Sequence, residues 1–210
     1  MKVKICGLRT VADVAAVNAA KPDYAGFVFA ESPRRITEQD AAALRVALLP
    51  EIVTVGVFVN APLEQMIQLV RTGVIGMVQL HGDEDDAFVR AVKEHTGAPV
   101  IRAFRVGDGL PDGWGESSAD YLLFDKLSGK ARGGTGERFD WELLRRVNRP
   151  FFLAGGMRPG LAEHAAAYAP FAVDGSSGVE TEGIKDPQKI AAFVREVRAT
   201  TERMEKHEQN

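Results

Sequence analysis

Cysteine is almost absent from this sequence: Cys6 is the only one, so no intrachain disulfide can form. That fits a reducing compartment, and the chain is expected to be cytoplasmic. No stretch approaches the roughly 20 apolar residues needed to cross a bilayer, so no membrane partner is expected. The opening MKVKICGLRT has an apolar core interrupted by Lys4, too short and too polar for a secretion signal. Excess positive charge is missing as well. Against 29 acidic residues stand 26 Lys and Arg, a net charge of −3, so nothing suggests nucleic acid as a partner. A small anionic substrate is compatible with this balance, because a local group of N–H donors and one or two arginines can hold phosphate. Histidine is also scarce. Only His81 ends a strand candidate, so no metal site is expected.

What is present is an alternation of two textures. Short apolar runs at 3–6, 24–29, 53–59, 77–80, 100–104, 121–124, 151–154 and 171–173 are nearly continuous rather than alternating. That is the pattern of strands buried on both faces. Between them lie segments with helical spacing at 11–20, 38–48, 63–71, 85–95, 141–147, 161–168 and 188–204. Thr37 and Asp186 stand where N-caps belong, the latter ahead of Pro187. The unit at 105–120 contains GDGLPDGWGESS, too rich in Gly and Pro for a full helix, so the fifth helix is expected to be degenerate.

Eight such repeats in 210 residues predict one α/β domain, a (β/α)8 TIM barrel over 1–205 with a polar tail at 206–210. An open doubly wound sheet is the main structural alternative.

In a barrel, chemistry sits at the C-terminal ends of the strands. Here those ends carry Cys6-Gly7, Ser32-Pro33-Arg34-Arg35, Asn60, His81-Gly82, Asp125, Gly155-Gly156 and Asp174-Gly175-Ser176-Ser177-Gly178. Cys6 is either a small buried hydrophobe or a thiolate base, if nearby positive charge lowers its pKa from about 8.5. Asp125 follows four apolar residues. It is either a cap or partner of Lys126, or a carboxyl whose pKa rises in a partly desolvated pocket, so that it holds and donates a proton. Arg34 is a solvated surface residue or a bidentate clamp on a carboxylate; the sequence does not rank it against Arg35. His81 is a barrel-mouth histidine or a substrate contact. The glycines of GGTG, Gly155-Gly156 and Ser176-Ser177-Gly178 have the composition of phosphate-binding loops. Barrels often use the loops after strands seven and eight for this purpose.

Taken together and in order, KICGLRT, GFVFAESPRRI, VGVFVN, VQLHGDE, LLFD with GGTGERFDW, FLAGGMRPG and FAVDGSSGVE resemble the phosphoribosylanthranilate isomerases. The resemblance spans 2–180. It implies a (β/α)8 fold and a cofactor-free Amadori rearrangement in tryptophan biosynthesis, from N-(5-phosphoribosyl)anthranilate to 1-(2-carboxyphenylamino)-1-deoxyribulose 5-phosphate. It implies Cys6 as general base and Asp125 as general acid. Arg34 would hold the anthranilate carboxylate, with His81 and Asp174 at pocket positions. Gly134, Gly155, Gly156, Ser176 and Ser177 match the phosphate loops. Lys126 departs from the small hydroxylated residue that many relatives carry after the aspartate. Members work as monomers or homodimers, and the sequence does not decide between them.

Two rivals follow from the same residues. One is the related isomerase of histidine biosynthesis, which resembles a pattern with aspartates in both acid and base positions. The other is a phosphate-binding barrel without catalysis. The presence of both Cys6 and Asp125 argues against each.

Overall fold

A computed structural model of the chain describes residues 1–126 and 139–208. Eight parallel strands close into a barrel in sequence order: β1 Lys2–Cys6, β2 Tyr24–Val28, β3 Val53–Phe58, β4 Met77–Leu80, β5 Val100–Val106, β6 Tyr121–Lys126, β7 Phe151–Leu153 and β8 Ala172–Gly175. Closure comes from β1 pairing with β8 in register Lys4 to Asp174. The open doubly wound alternative is thereby excluded.

Among the described residues, six α-helices surround the strands: α1 Val11–Ala20, α2 Glu38–Ala47, α3 Leu63–Arg71, α4 Asp86–Thr96, α5 Ala162–Ala166 and α6 Pro187–Glu208. Thr37 caps α2 by accepting from the Asp40 N–H, and Asp186 caps α6 through the N–H groups of Gln188 and Lys189. One unit is as degenerate as its sequence predicts, and two others differ from the sequence pattern. Between β5 and β6 there is no helix. Trp114 packs edge-on against Phe124 and Arg149 donates to the carbonyls of Trp114, Ser117 and Ala119, so an arginine satisfies backbone that a helix would have satisfied internally. Trp141–Arg146 is a 3-10 helix rather than an α-helix. α5 is shorter than the 161–168 pattern. Tyr168 and Ala169 bond back three residues rather than four, and Ala169 takes φ +48 before Pro170. At the other end, α6 runs on to Glu208, past the expected 204; the stretch ERMEKHE contains good helix formers and no Gly or Pro to stop it.

Alternate strand residues divide two cores. One set, with Ile5, Phe27, Phe58, Leu80, Leu122 and Phe124, packs outward against the helices. The other fills the barrel: Val55, Met77, Ile101, Leu123, Phe152 and Ala172, with Tyr24 and Tyr121 at its edge. Because side chains alternate along a strand, the inward column continues upward in steps of two. It passes through Lys4 and Cys6 on β1, Gln79 and His81 on and beyond β4, Asp125 on β6, and Asp174 and Ser176 on and beyond β8.

Candidate active site

The inward column becomes polar near its top. Lys4, Gln79 and Asp174 are almost wholly buried inside the barrel. Two residues later on the same strands come Cys6, His81 and Ser176, which line a cavity of about 810 Å³ including its open mouth. Arg34, Asp125, Ala154, Gly155, Gly156 and Ser177 also line it. The candidate residues of the described sequence therefore converge on one cavity. Gly134 lies outside the described residues.

Cys6 is 7% exposed. Gly26 on β2 makes room for it, since a Cβ there would lie 2.7 Å from the Cys6 Sγ. Gly7 takes φ +88, and a Cβ on it would meet the Arg34 Cδ at 2.6 Å, so the glycine of KICG both turns the chain and admits the arginine. The Lys4 ammonium donates to the Asp174 carboxylate at 2.7 Å, with both side chains buried. Burial opposes charge on Lys4, but Asp174 and Cys6 outweigh it and hold its pKa up. For Cys6 the balance runs the other way. Burial pushes the thiol up, the Lys4 cation pulls it down, Asp174 pushes it up again and Lys185 pulls it down; the result is a raised pKa. Positive charge stands beside Cys6, but desolvation outweighs it and the net shift is upward.

Across the mouth, the Asp125 Oδ1 accepts from its neighbour's N–H, that of Lys126, at 2.8 Å. Its Oδ2 lies 3.6 Å from the His81 Nε2. The His81 Nδ1 faces the Gln79 carboxamide, whose Nε2 is 2.8 Å away. The His81 carbonyl is held by Arg105 from β5 at 3.0 Å.

Arg34 and Arg35 part company. Arg34 reaches the cavity and pairs through Nε and Nη2 with both carboxylate oxygens of Glu180, each at 2.7 Å. Arg35 points outward to Glu31 and lines a separate groove. Glu180 also accepts from the buried Lys185 at 2.6 Å. Burial works against its charge, but the bonds from Arg34 and Lys185 prevail and hold its carboxyl down at about 2. The Glu180 pair uses two of the five N–H donors of Arg34.

At the far end, the loops after β7 and β8 lie against each other. Gly178 is the point of contact: a Cβ there would fall 2.0 Å from the Met157 carbonyl oxygen. The Ser176 hydroxyl donates to the Cys6 carbonyl at 3.2 Å, and a 3-10 turn begins at Ser177. Gly155 has φ +77, and its Cα backs onto the acid side, since a Cβ would lie 2.9 Å from the Lys126 nitrogen and 3.0 Å from the Asp125 Oδ1.

Four residues of this site do not stand out in the sequence: Lys4, Gln79, Glu180 and Lys185. The first two carry a legible signal, a polar residue two positions before a polar strand end inside an apolar run. The other two carry none, because Glu180 meets Arg34 across 146 positions.

The model of the family described as N-(5'-phosphoribosyl)anthranilate (PRA) isomerase matches residues 3–196. Among curated proteins, the chain is similar to the N-(5'-phosphoribosyl)anthranilate isomerase of Endomicrobium trichonymphae, at 45% identity over 94% of this chain and 98% of the relative. Among solved structures it resembles the phosphoribosyl anthranilate isomerase of Thermus thermophilus, with TM-score 0.84, 33% identity, and 95% and 99% of the two chains covered. A further phosphoribosyl anthranilate isomerase was solved in complex with reduced 1-(o-carboxyphenylamino)-1-deoxyribulose 5-phosphate. It aligns with TM-score 0.79 and 32% identity over 95% of this chain and 99% of that one.

Proposed function

The chain belongs to the N-(5'-phosphoribosyl)anthranilate isomerase family, and from that premise we propose how its barrel mouth carries out the reaction. The enzyme is an aldose–ketose isomerase of tryptophan biosynthesis. It converts N-(5-phosphoribosyl)anthranilate into 1-(2-carboxyphenylamino)-1-deoxyribulose 5-phosphate. Asp125 is the general acid and Cys6 the general base. The observation that carries this assignment is a thiol on β1 and a carboxyl on β6 lining one cavity, with an arginine and two glycine- and serine-bearing loops around it.

The substrate's phosphate rests against Gly155, Gly156, Ser176 and Ser177 of the loops after β7 and β8. Its anthranilate carboxylate takes the donors of Arg34 that Glu180 leaves over. Gly134, from the loop after β6, belongs to the phosphate end by sequence match, and His81 and Asp174 complete the pocket.

Asp125 delivers its proton to the furanose ring oxygen. The C1–O bond breaks toward that oxygen, and the nitrogen lone pair forms the C1=N iminium. Cys6 then takes the proton from C2. The C2–H electrons become the C1=C2 bond of an enolamine, the C=N electrons return to nitrogen, and tautomerisation gives the ketone. Protons and electrons balance without an external oxidant or reductant. A thiol with a raised pKa is a poor base at rest. The iminium supplies the missing charge, because a cation formed next to the sulfur favours the thiolate at the step that needs it. Lys4 and Lys185 are already on hand.

Every proposed site residue comes from one chain, so monomer and homodimer serve equally, and the site has no use for nucleic acid. We infer a cytoplasmic enzyme, because a chain with one cysteine and no possible intrachain disulfide fits a reducing compartment. Among the described residues no helix is long and apolar enough to cross a membrane.

The test is turnover followed by anthranilate fluorescence. Cys6→Ser and Asp125→Asn should each lower kcat by at least about 100-fold, the usual worth of general acid–base catalysis. Near-wild-type turnover in either variant removes that residue from its role.

A further inference from the structure

Gln79 lines the floor of the cavity, and its only side-chain hydrogen bond among the described residues goes to a ring that faces the acid. Its Nε2 lies 2.8 Å from the His81 Nδ1, and its Oε1 is buried without a hydrogen-bond partner. An amide nitrogen can only donate. With the carboxamide in this orientation the His81 Nδ1 presents a lone pair, and in the neutral ring the proton sits on Nε2. That Nε2 is the atom facing the Asp125 Oδ2 at 3.6 Å. The backbone beneath the ring is held as well, since the Arg105 Nη2 donates to the His81 carbonyl at 3.0 Å.

We propose that Gln79 is a positioning residue that locks His81 in the Nε2–H tautomer, so that the histidine cannot accept the proton Asp125 holds for the substrate. The proposal rests on the reading of Asp125 as the acid. The Asp125 Oδ1 already accepts the Lys126 N–H at 2.8 Å, so the acid's proton belongs on Oδ2. With a hydrogen on Nε2, the ring offers Oδ2 a donor, and the O–H turns away from it into the cavity. With the proton on Nδ1 instead, Nε2 would offer a lone pair. It would draw the acid's proton toward the imidazole, giving an imidazolium beside a carboxylate, and the ring oxygen of the substrate would lose its donor. The 3.6 Å separation is too long for a hydrogen bond in the empty site; catalytic contacts of this kind commonly tighten when substrate is bound.

The experiment reads the tautomer directly. Protein labelled with 15N-histidine is examined by long-range 1H–15N correlation at about pH 8, where an ordinary imidazole is neutral. A His81→Gln spectrum identifies the signal among the four histidines of the chain. The expected result is Nε2 protonated and Nδ1 bare in the wild type. Gln79→Glu places an acceptor opposite Nδ1 and should reverse the tautomer. It should lower kcat by at least about tenfold, with KM within about twofold, as expected when only proton delivery is spoiled. Gln79→Met, which has no donor, should give a mixed signal and an intermediate kcat. A wild-type signal with the proton on Nδ1 overturns the proposal, and so does a Gln79→Glu variant with the reversed tautomer and unchanged kcat. The two readings fail separately. Wild-type turnover in Asp125→Asn removes the acid whatever the tautomer, whereas an inactive Asp125→Asn with an Nδ1–H ring removes only the lock.

Discussion

On the β1–β8 side of the mouth, Cys6 sits among Lys4, Asp174 and Lys185, three charged side chains almost completely buried. On the β4–β6 side, Asp125 meets one backbone N–H, an imidazole at 3.6 Å and, behind that, a carboxamide. The contrast follows from what each group has to do. A base that must ionise away from water needs fixed positive charge near it to offset desolvation. The acid's backbone partner, by contrast, is a neutral N–H.

The charged side should therefore be the fragile one. Lys4→Met leaves the Asp174 carboxylate buried and alone, and should destabilise the fold by about 3–5 kcal/mol in urea unfolding. Lys4→Met with Asp174→Leu should recover most of that stability while the thiol's alkylation profile moves to higher pH, since Lys4 lowers the Cys6 pKa more than Asp174 raises it. Gln79→Met, on the other side, should cost about 1 kcal/mol, the net value of one hydrogen bond. Comparable losses on the two sides would break the contrast.

A second measurement compares the neighbouring arginines. Arg34→Ala should raise KM by about tenfold or more, the worth of a charge-assisted bond to the substrate carboxylate. Arg35→Ala, which removes only an exposed pair with Glu31, should change KM by less than about twofold. The reverse order would shift the loop register by one.

The smallest effect is the acid limb of stability. The Glu180 carboxyl is held at about 2, below its ordinary 4.5. Its contribution is fully present above about pH 4.5 and is lost as pH falls from there toward 2. Glu180→Gln should flatten that part of the curve, measured by unfolding at a series of pH values. An unchanged slope would show that Arg34 and Lys185 do not hold this carboxylate as described.

Much of the frame is legible in the amino-acid sequence. Strands β1 to β8 read as apolar runs because both faces are covered, and the polar residues ending them mark the mouth. The missing fifth helix is visible in GDGLPDGWGESS. The short 3-10 turn at Trp141 and the five-residue α5 are not, because the apolar spacing of 141–147 and 161–168 fits a longer α-helix as well as the short elements found. Lys4 reads as an interruption in an apolar run, when it is the cation beneath the thiol. Glu180 does not stand out because its partner Arg34 lies 146 positions away in the sequence, and Lys185 does not because its short-range pairing with Glu180 carries no mark of a site by itself.

The inward column of the barrel has a further consequence. Lys4 and Cys6, Gln79 and His81, Asp174 and Ser176 are each written two letters apart, the supporting residue first. Each pair sits on or just beyond a single strand, so a tripeptide carries its own geometry with it. A single-residue insertion between the two members of any pair would turn one of them to the opposite face and dismantle that unit alone.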